Sequence, residues 1–375
     1  MSRQLLRLVA SQIKVGAPLP FGVRDEHGKL LLARAQLIES DNQLEALLSR
    51  GLYADRDEVE AAKKRQGESV ETDRVTLFDL WEQEIWQLKR LLLSVDQPGF
   101  PARCDEFATQ FMALVHRDPD IAIYLSVRQD PRRLSLYGLT HSLHCALVCQ
   151  LVGSRFEWPQ ERVQTIVKAA MTMNLTIIEV QGQFAIHGRL SEKQKAQISE
   201  HPDRTVERLI ATGVEDEAWL RAVSEHHERD GGGGYPLGLE KPCDDAAALR
   251  IADVFMAKIS PRAGRLQLTV QDAARQMFAE ANGSQVAAAI IKEYGIYPPG
   301  NFVRLASGEL AVVIRRGENA HAPIAAAITS RSGVPATSSI RRDTADGAFA
   351  IKALLPERSL TQRMPPERLY GLSAS

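Results

Sequence analysis

The sequence predicts a mainly α protein with a small α+β module at its start and a small β appendage at its end. Three observations carry that reading. Between Leu134 and Tyr294 apolar residues recur every three or four positions, the period of helices that bury one face. At Gly295-Ile296-Tyr297-Pro298-Pro299-Gly300 that period stops, and Phe302 to Ile314 read as two strands around Ser307-Gly308. Near the other end, Phe21-Gly22-Val23 and Leu30-Leu31-Leu32 flank the turn residues Asp25-Glu26-His27-Gly28. The chain then divides into an α+β module over 1–66, a helical connector over 67–130, a helical domain over 131–294, and a β-rich appendage with a flexible tail over 295–375.

Taken in order, Met1 to Gly16 are amphipathic, with Leu5, Leu6, Leu8, Val9 and Ile13 interrupted by Arg3, Arg7 and Lys14. They lack the unbroken apolar core of a signal peptide. No stretch approaches the roughly 20 apolar residues that span a bilayer, so no transmembrane segment and a cytoplasmic location are expected. After the first hairpin, Ser40 with Gln43 fits a capping box, Leu44, Leu47 and Leu48 form a stripe, and Gly51 ends the helix. From Asp55 to Arg74, 12 of 20 residues are charged, which suits a solvated helix giving way to a linker near Gly67.

Leu77, Leu80, Trp81, Ile85, Leu88, Leu91 and Leu92 mark a longer helix, stopped by Pro98-Gly99. Its stripe suits a homodimeric coiled coil and equally suits packing onto the chain's own bundle. Further helices read from about Ala102 to His116 and from Pro119 to Val127. Beyond the C-terminal hairpin, Pro323 to Ile328 and Ala348 to Leu354 are candidate strands. The last fifteen residues or so, rich in Pro, Arg and Ser, are expected to be poorly ordered.

A net charge of -1, from 46 basic and 47 acidic residues, leaves no overall field to gather a nucleic acid polymer or an anionic membrane. Of the cysteines, Cys145 and Cys149 lie four apart in a helical pattern, which suits two buried thiols better than a disulfide. Cys145 is within helical reach of His141 and His144, but no further cysteine completes a zinc quartet, so it reads as a core thiol.

Six of the nine histidines fall between 141 and 227, namely His141, His144, His187, His201, His226 and His227. Neutral imidazole ligates zinc, iron and manganese, so this clustering points to a metal site. The string from His226 to Pro236 is more specific. Adjacent imidazoles are followed by Glu228-Arg229-Asp230, four glycines and Tyr235-Pro236. A glycine run costs backbone entropy and adds no packing. It is therefore read as a loop with unusual dihedrals and exposed N–H groups, suited to an anionic ligand or a protein partner.

These residues resemble the HD-GYP family, a branch of the HD-domain metal phosphohydrolases. The resemblance runs from about Leu134 to Arg262 and is carried by His141-Ser142, His201-Pro202, the His226 to Pro236 string, and Arg250-Ile251-Ala252-Asp253-Val254-Phe255. It implies an HD-GYP-like helical bundle holding two or three metal ions that activate water to cut cyclic di-GMP. Carried over residue by residue, it makes His141, His201, His226, His227 and Asp253 metal ligands. It makes Asp230, Gly231, Gly234, Tyr235 and Pro236 the ligand or partner loop.

The family's His-Asp pair falls on Met173 and Asn174, and its lysine on Ile177. Asn174 has one neutral carbonyl oxygen and cannot bridge two cations, while Met173 offers a soft thioether that hard cations bind poorly. Two-metal hydrolysis needs that bridge. The expectation is a degenerate, catalytically impaired member of bacterial cyclic-di-GMP signalling, acting by ligand sensing or protein contact. It would hold one divalent metal (zinc, iron or manganese) at the remaining histidines, or none. The alternatives are an active phosphodiesterase and a structural scaffold without metal or nucleotide. Cyclic di-GMP and diguanylate cyclase domains of the GGDEF type are the partners that the resemblance implies.

Overall fold

The structure is a computed structural model that describes residues 5–7, 19–25, 27–34, 36–38, 43, 47, 53–59, 76–265, 267–355 and 366–371. Helix accounts for 54% and strand for 13%, so the protein is mainly α as the periodicity required. Two compact units form, Met1–Arg90 and Leu91–Leu372, and their division falls inside the segment read as a connector.

In the first unit, β1 (Leu5–Arg7), β2 (Val23–Arg24), β3 (Leu30–Leu32) and β4 (Tyr53–Asp55) make a sheet of order β1-β4-β2-β3 with antiparallel pairs. The hairpin around Asp25 is β2-β3, and Asp25 closes it by accepting from the N–H groups of His27 and Lys29. Of the helix expected after Ser40, Gln43 and Leu47 are described and helical, and its other residues lie outside the described ones. The charged stretch from residue 60 to 74 also lies outside them. Helix α1 (Leu77–Leu93) opens on a reciprocal cap between Thr76 and Asp79. Trp81, Ile85, Trp86, Leu88, Leu91 and Leu92 are buried.

The second unit is built from helices α2 (Phe100–Arg117), α3 (Pro119–Val127), α4 (Tyr137–Arg155), α5 (Gln160–Thr172), α6 (Ile178–His187), α7 (Glu192–Ala211), α8 (Glu217–Glu225), α9 (Asp244–Ile259), α10 (Val270–Glu280) and α11 (Gln285–Tyr294). Helix α4 is the centre. Residues on nearly all its faces are buried, and it packs against α5, α6, α9 and α11. Apart from His141, Ser142, His144 and Gln150 its buried side chains are mostly apolar, so it has little solvated face to keep and lies inside. Trp219 of α8 is fully buried and donates its indole N–H to Thr172 at 2.8 Å, locking α8 onto the end of α5. Phe255 and Tyr294 meet edge to face at 4.8 Å between α9 and α11.

A five-stranded antiparallel sheet closes the chain in the order β8-β7-β6-β5-β9, from β5 (Phe302–Leu305), β6 (Leu310–Arg315), β7 (Ile324–Thr329), β8 (Pro335–Asp343) and β9 (Ile351–Leu355). The expected hairpin is β5-β6, and the two candidate strands became β7 and β9. Strand β8 was not foreseen, because Pro335-Ala336-Thr337-Ser338-Ser339 carries no apolar alternation to announce it. Val303, Leu305, Ala311, Val313 and Ala325 form the sheet's own core. Arg316, just past β6, pairs with Asp120 of α3 and Glu293 of α11, tying sheet to helices within this unit. The expectation of a poorly ordered tail fails for part of it. Helix α12 (Pro366–Tyr370) buries Leu369 and Tyr370, the latter edge to face with Tyr124 at 5.5 Å.

Candidate metal centre

His201 lies on α7, directly before Pro202. Proline has no N–H, so the carbonyl of Ile198, four residues earlier, loses its helical donor. His201 takes that place, its Nδ1 donating to Ile198 O at 2.6 Å. His226 repeats the device at the end of α8, where last-turn carbonyls have no intrahelical partner. There its Nδ1 donates to Val223 O at 2.6 Å. Both rings therefore present a bare Nε2, and the two Nε2 atoms face each other at 3.2 Å. The ring of His227 completes the group, its centroid 4.1 Å from that of His226 and 5.0 Å from that of His201.

Burial, reinforced by the neighbouring His226, holds the His201 imidazole down to about 3. Burial lowers His226 too, and together with the charge of His226 it lowers His227 well below its ordinary value. Neutral rings with carbonyl-bound Nδ1 atoms put lone pair against lone pair at Nε2. That arrangement asks for a cation, and one donor atom from each of the three histidines lies within 4.8 Å of the others. Three imidazoles with an open fourth position fit zinc or iron. Such an ion would supply Lewis acidity and a water of lowered pKa.

His141 and Asp253 come together from α4 and α9, His141 Nε2 to Asp253 Oδ1 at 2.7 Å across 112 residues of sequence. Cys145, one turn along α4, brings its Sγ to 3.5 Å from the same Nε2. Burial opposes ionisation of Asp253, but the hydrogen bond and charge of His141, with His227 and His226 adding to them, hold the carboxyl well below the usual range. The same electrostatics link Asp253 to His201, so this second group borders the first. Tyr137 stacks on His141 with centroids 5.3 Å apart.

The loop after His227 is organised by Glu228, which is fully buried and accepts from the backbone N–H groups of Leu237, Gly238 and Leu239 at 2.6, 3.1 and 3.0 Å. Glu225 does the same for Cys243 N at 2.6 Å. Gly231 and Gly232 have φ of 84° and 77°, and a Cβ on Gly234 would lie 2.3 Å from Glu228 Cα. Gly231 and Gly232 thus have the unusual dihedrals expected of the run, while Gly234 has a packing reason that the sequence did not show. Gly233 has none, since a Cβ there meets nothing within 4 Å. Tyr235 stacks on His227 with centroids 4.5 Å apart, Pro236 follows it partly buried, and Asp230 is exposed.

Met173 caps α5, its N–H bonded to Ala169 O, and Asn174 and Ile177 follow in a buried turn. Thr176, in the same turn, bonds Thr205 one helical turn beyond His201 at 3.0 Å, which sets this segment against α7. His144 is buried on α4 and His187 is exposed at the end of α6, and neither joins a ligand group. Sequence reasoning missed Glu228 and Glu225 as organisers and Cys145 as a donor beside His141. For the two glutamates the available signal was their place directly before and directly after the paired histidines, and for Cys145 it was the spacing of four from His141.

Fold and site define a class of helical protein in which histidines from three helix positions and an aspartate from a fourth converge beside a glycine-rich Tyr-Pro loop. No family model matches the chain. It is 29% identical over 243 residues to a cyclic di-GMP phosphodiesterase of Pseudomonas aeruginosa, a match covering 62% of this chain. The chain spans 58% of that relative's length. Its fold is similar to an HDG"Y"P protein from Bdellovibrio bacteriovorus, with a TM-score of 0.51 at 13% identity, over 77% of this chain and 99% of that one. Among the described residues, no helix is long and apolar enough to cross a membrane.

Proposed function

We propose that this protein is a catalytically impaired HD-GYP relative that binds cyclic di-GMP and passes its presence on by ligand sensing or protein contact. One observation carries the reading. The three-histidine half is pre-organised for a cation, while the family's bridging pair falls on the buried Met173 and Asn174. Charge around the site suits a phosphodiester. Arg250, half-buried, lies close enough to Arg229 and Asp253 to feel both, and Arg262 and Arg265 approach Tyr137 and each other near His141. Cationic side chains whose charge bears on Asp253 and Tyr137 suit an anionic ligand.

With cyclic di-GMP and Mn²⁺, Fe²⁺ or Mg²⁺, the expected result is saturable binding without linear dinucleotide or GMP. Robust product formation that disappears in His226→Ala would overturn this and establish the second reading, an active phosphodiesterase. That second reading is favoured by the activity named for the Pseudomonas relative. Contact with a diguanylate cyclase domain of the GGDEF type would run through Asp230 to Pro236. Tyr235→Ala should then weaken it, and unchanged binding to every partner found would remove the loop from the account.

A further inference from the structure

We propose that Cys145 joins His141 and Asp253, two of the ligands that the resemblance implies, in a second metal site of soft character suited to zinc, the thiolate being what the family pattern does not supply. The spacing of α4 alone left Cys145 a buried thiol. The third donor arrives from α9, and one ligand atom from each of the three residues then lies within 4.8 Å of the others.

The distances fit a tetrahedral ion. Bonds of about 2.3 Å to sulfur and about 2.05 Å to nitrogen, at a tetrahedral angle, set those donors about 3.5 Å apart. Cys145 Sγ and His141 Nε2 are 3.5 Å apart. The Asp253 oxygen, at 2.7 Å from Nε2, is nearer than a shared tetrahedral ion allows. That hydrogen bond opens by roughly half an ångström as the ion enters. On zinc uptake the Cys145 thiol proton leaves to solvent. The Nε2 proton of His141 passes to Nδ1, which is buried and has no hydrogen-bond partner.

A thiolate in this place changes the preferred cation. Mg²⁺ and Mn²⁺ favour all-oxygen or oxygen-rich surroundings, whereas sulfur, imidazole and one carboxylate favour zinc. Met173, which stands where the family has an imidazole, is a change in the same direction. Cys149 provides the internal control, being equally buried one turn further along α4 and outside the ligand group.

The test titrates the full chain, stripped of metal, with Co²⁺ and with Zn²⁺. The expected result is two equivalents bound and a sulfur-to-cobalt charge-transfer band in the near ultraviolet. Cys145→Ser should lose the band and one equivalent, and Cys149→Ser should keep both. His226→Ala should keep the band while losing the other equivalent. A metal-loaded wild type without the band, or a band that survives in Cys145→Ser, overturns the proposal. If Cys145→Ser does not fold, Asp253→Asn replaces it, with weakened band-forming uptake expected and unchanged uptake overturning the proposal. Nucleotide is absent throughout, so the outcome is independent of whether cyclic di-GMP is bound or cleaved.

Discussion

The two halves of the site are held by different means. In the half made by His201, His226 and His227, the first two rings are aimed by carbonyls that the helices themselves leave free, Ile198 O and Val223 O. Backbone holds these donors whether or not a ligand is present. In the half made by His141, Cys145 and Asp253, the donors satisfy one another, with His141 bonded to Asp253 at 2.7 Å. A cation entering there must first break a hydrogen bond. The lesson is that the donor residues present in a sequence do not by themselves fix how ready a site is. Readiness depends on whether the partner holds the ring's other nitrogen and leaves the ligating one bare, as at His201 and His226, or sits on the ligating nitrogen itself, as at His141.

The largest expected effect separates the halves outright. His226→Ala should weaken metal binding at the three-histidine half by at least about 100-fold, more than typical losses of supporting contacts. His141→Ala should leave that equivalent in place. Calorimetric titration of both variants checks this, and equal losses would mean that the donors form one site.

Acid should come next. Histidine in an unfolded chain titrates near 6.5, whereas burial holds folded His144 and His201 down to about 3. Below about pH 6.5 the unfolded chain therefore takes up protons that the folded chain refuses. Stability of the metal-free protein is complete above that pH and is progressively lost as pH falls toward the folded values. Urea midpoints at pH 7 and 5 should differ accordingly, and His144→Gln should remove its own share. A midpoint flat across that range would show that the rings are solvated.

Pro202→Ala tests the backbone argument with a smaller change. The restored N–H competes for Ile198 O, so His201 loses its orienting bond. Metal affinity at the three-histidine half should fall about tenfold, with little change in thermal stability. Unchanged affinity would mean that packing alone aims the ring. Smallest of all, Gly233→Ala in the loop beside His227 should alter stability by no more than about 0.5 kcal/mol. A larger loss in the urea midpoint would reveal a constraint on Gly233 beyond its open surroundings.

Much of this was legible in the chain itself. Helical period gave α1, α2 and α3 one by one and a helical stretch from Leu134 to Tyr294, because side chains three and four apart share a face whatever the fold. His226 and His227 were bound to lie together, and Pro202 frees a carbonyl that lies within reach of the residue before it. Local covalent chemistry is enough for such conclusions. The family resemblance placed His141 and Asp253 in one site, but no period or spacing could show that α9 carries Asp253 across 112 residues to 2.7 Å from His141, or that Cys145 joins them as a donor. The packing need of Gly234 was hidden for the same reason. Gly234 is required by the approach of Glu228's own backbone, and Glu228 by three N–H groups that fold back onto it. Sequence determined which donors exist and how neighbours along a helix face. Tertiary structure decided which of them meet, because a close approach between distant segments has no period to read.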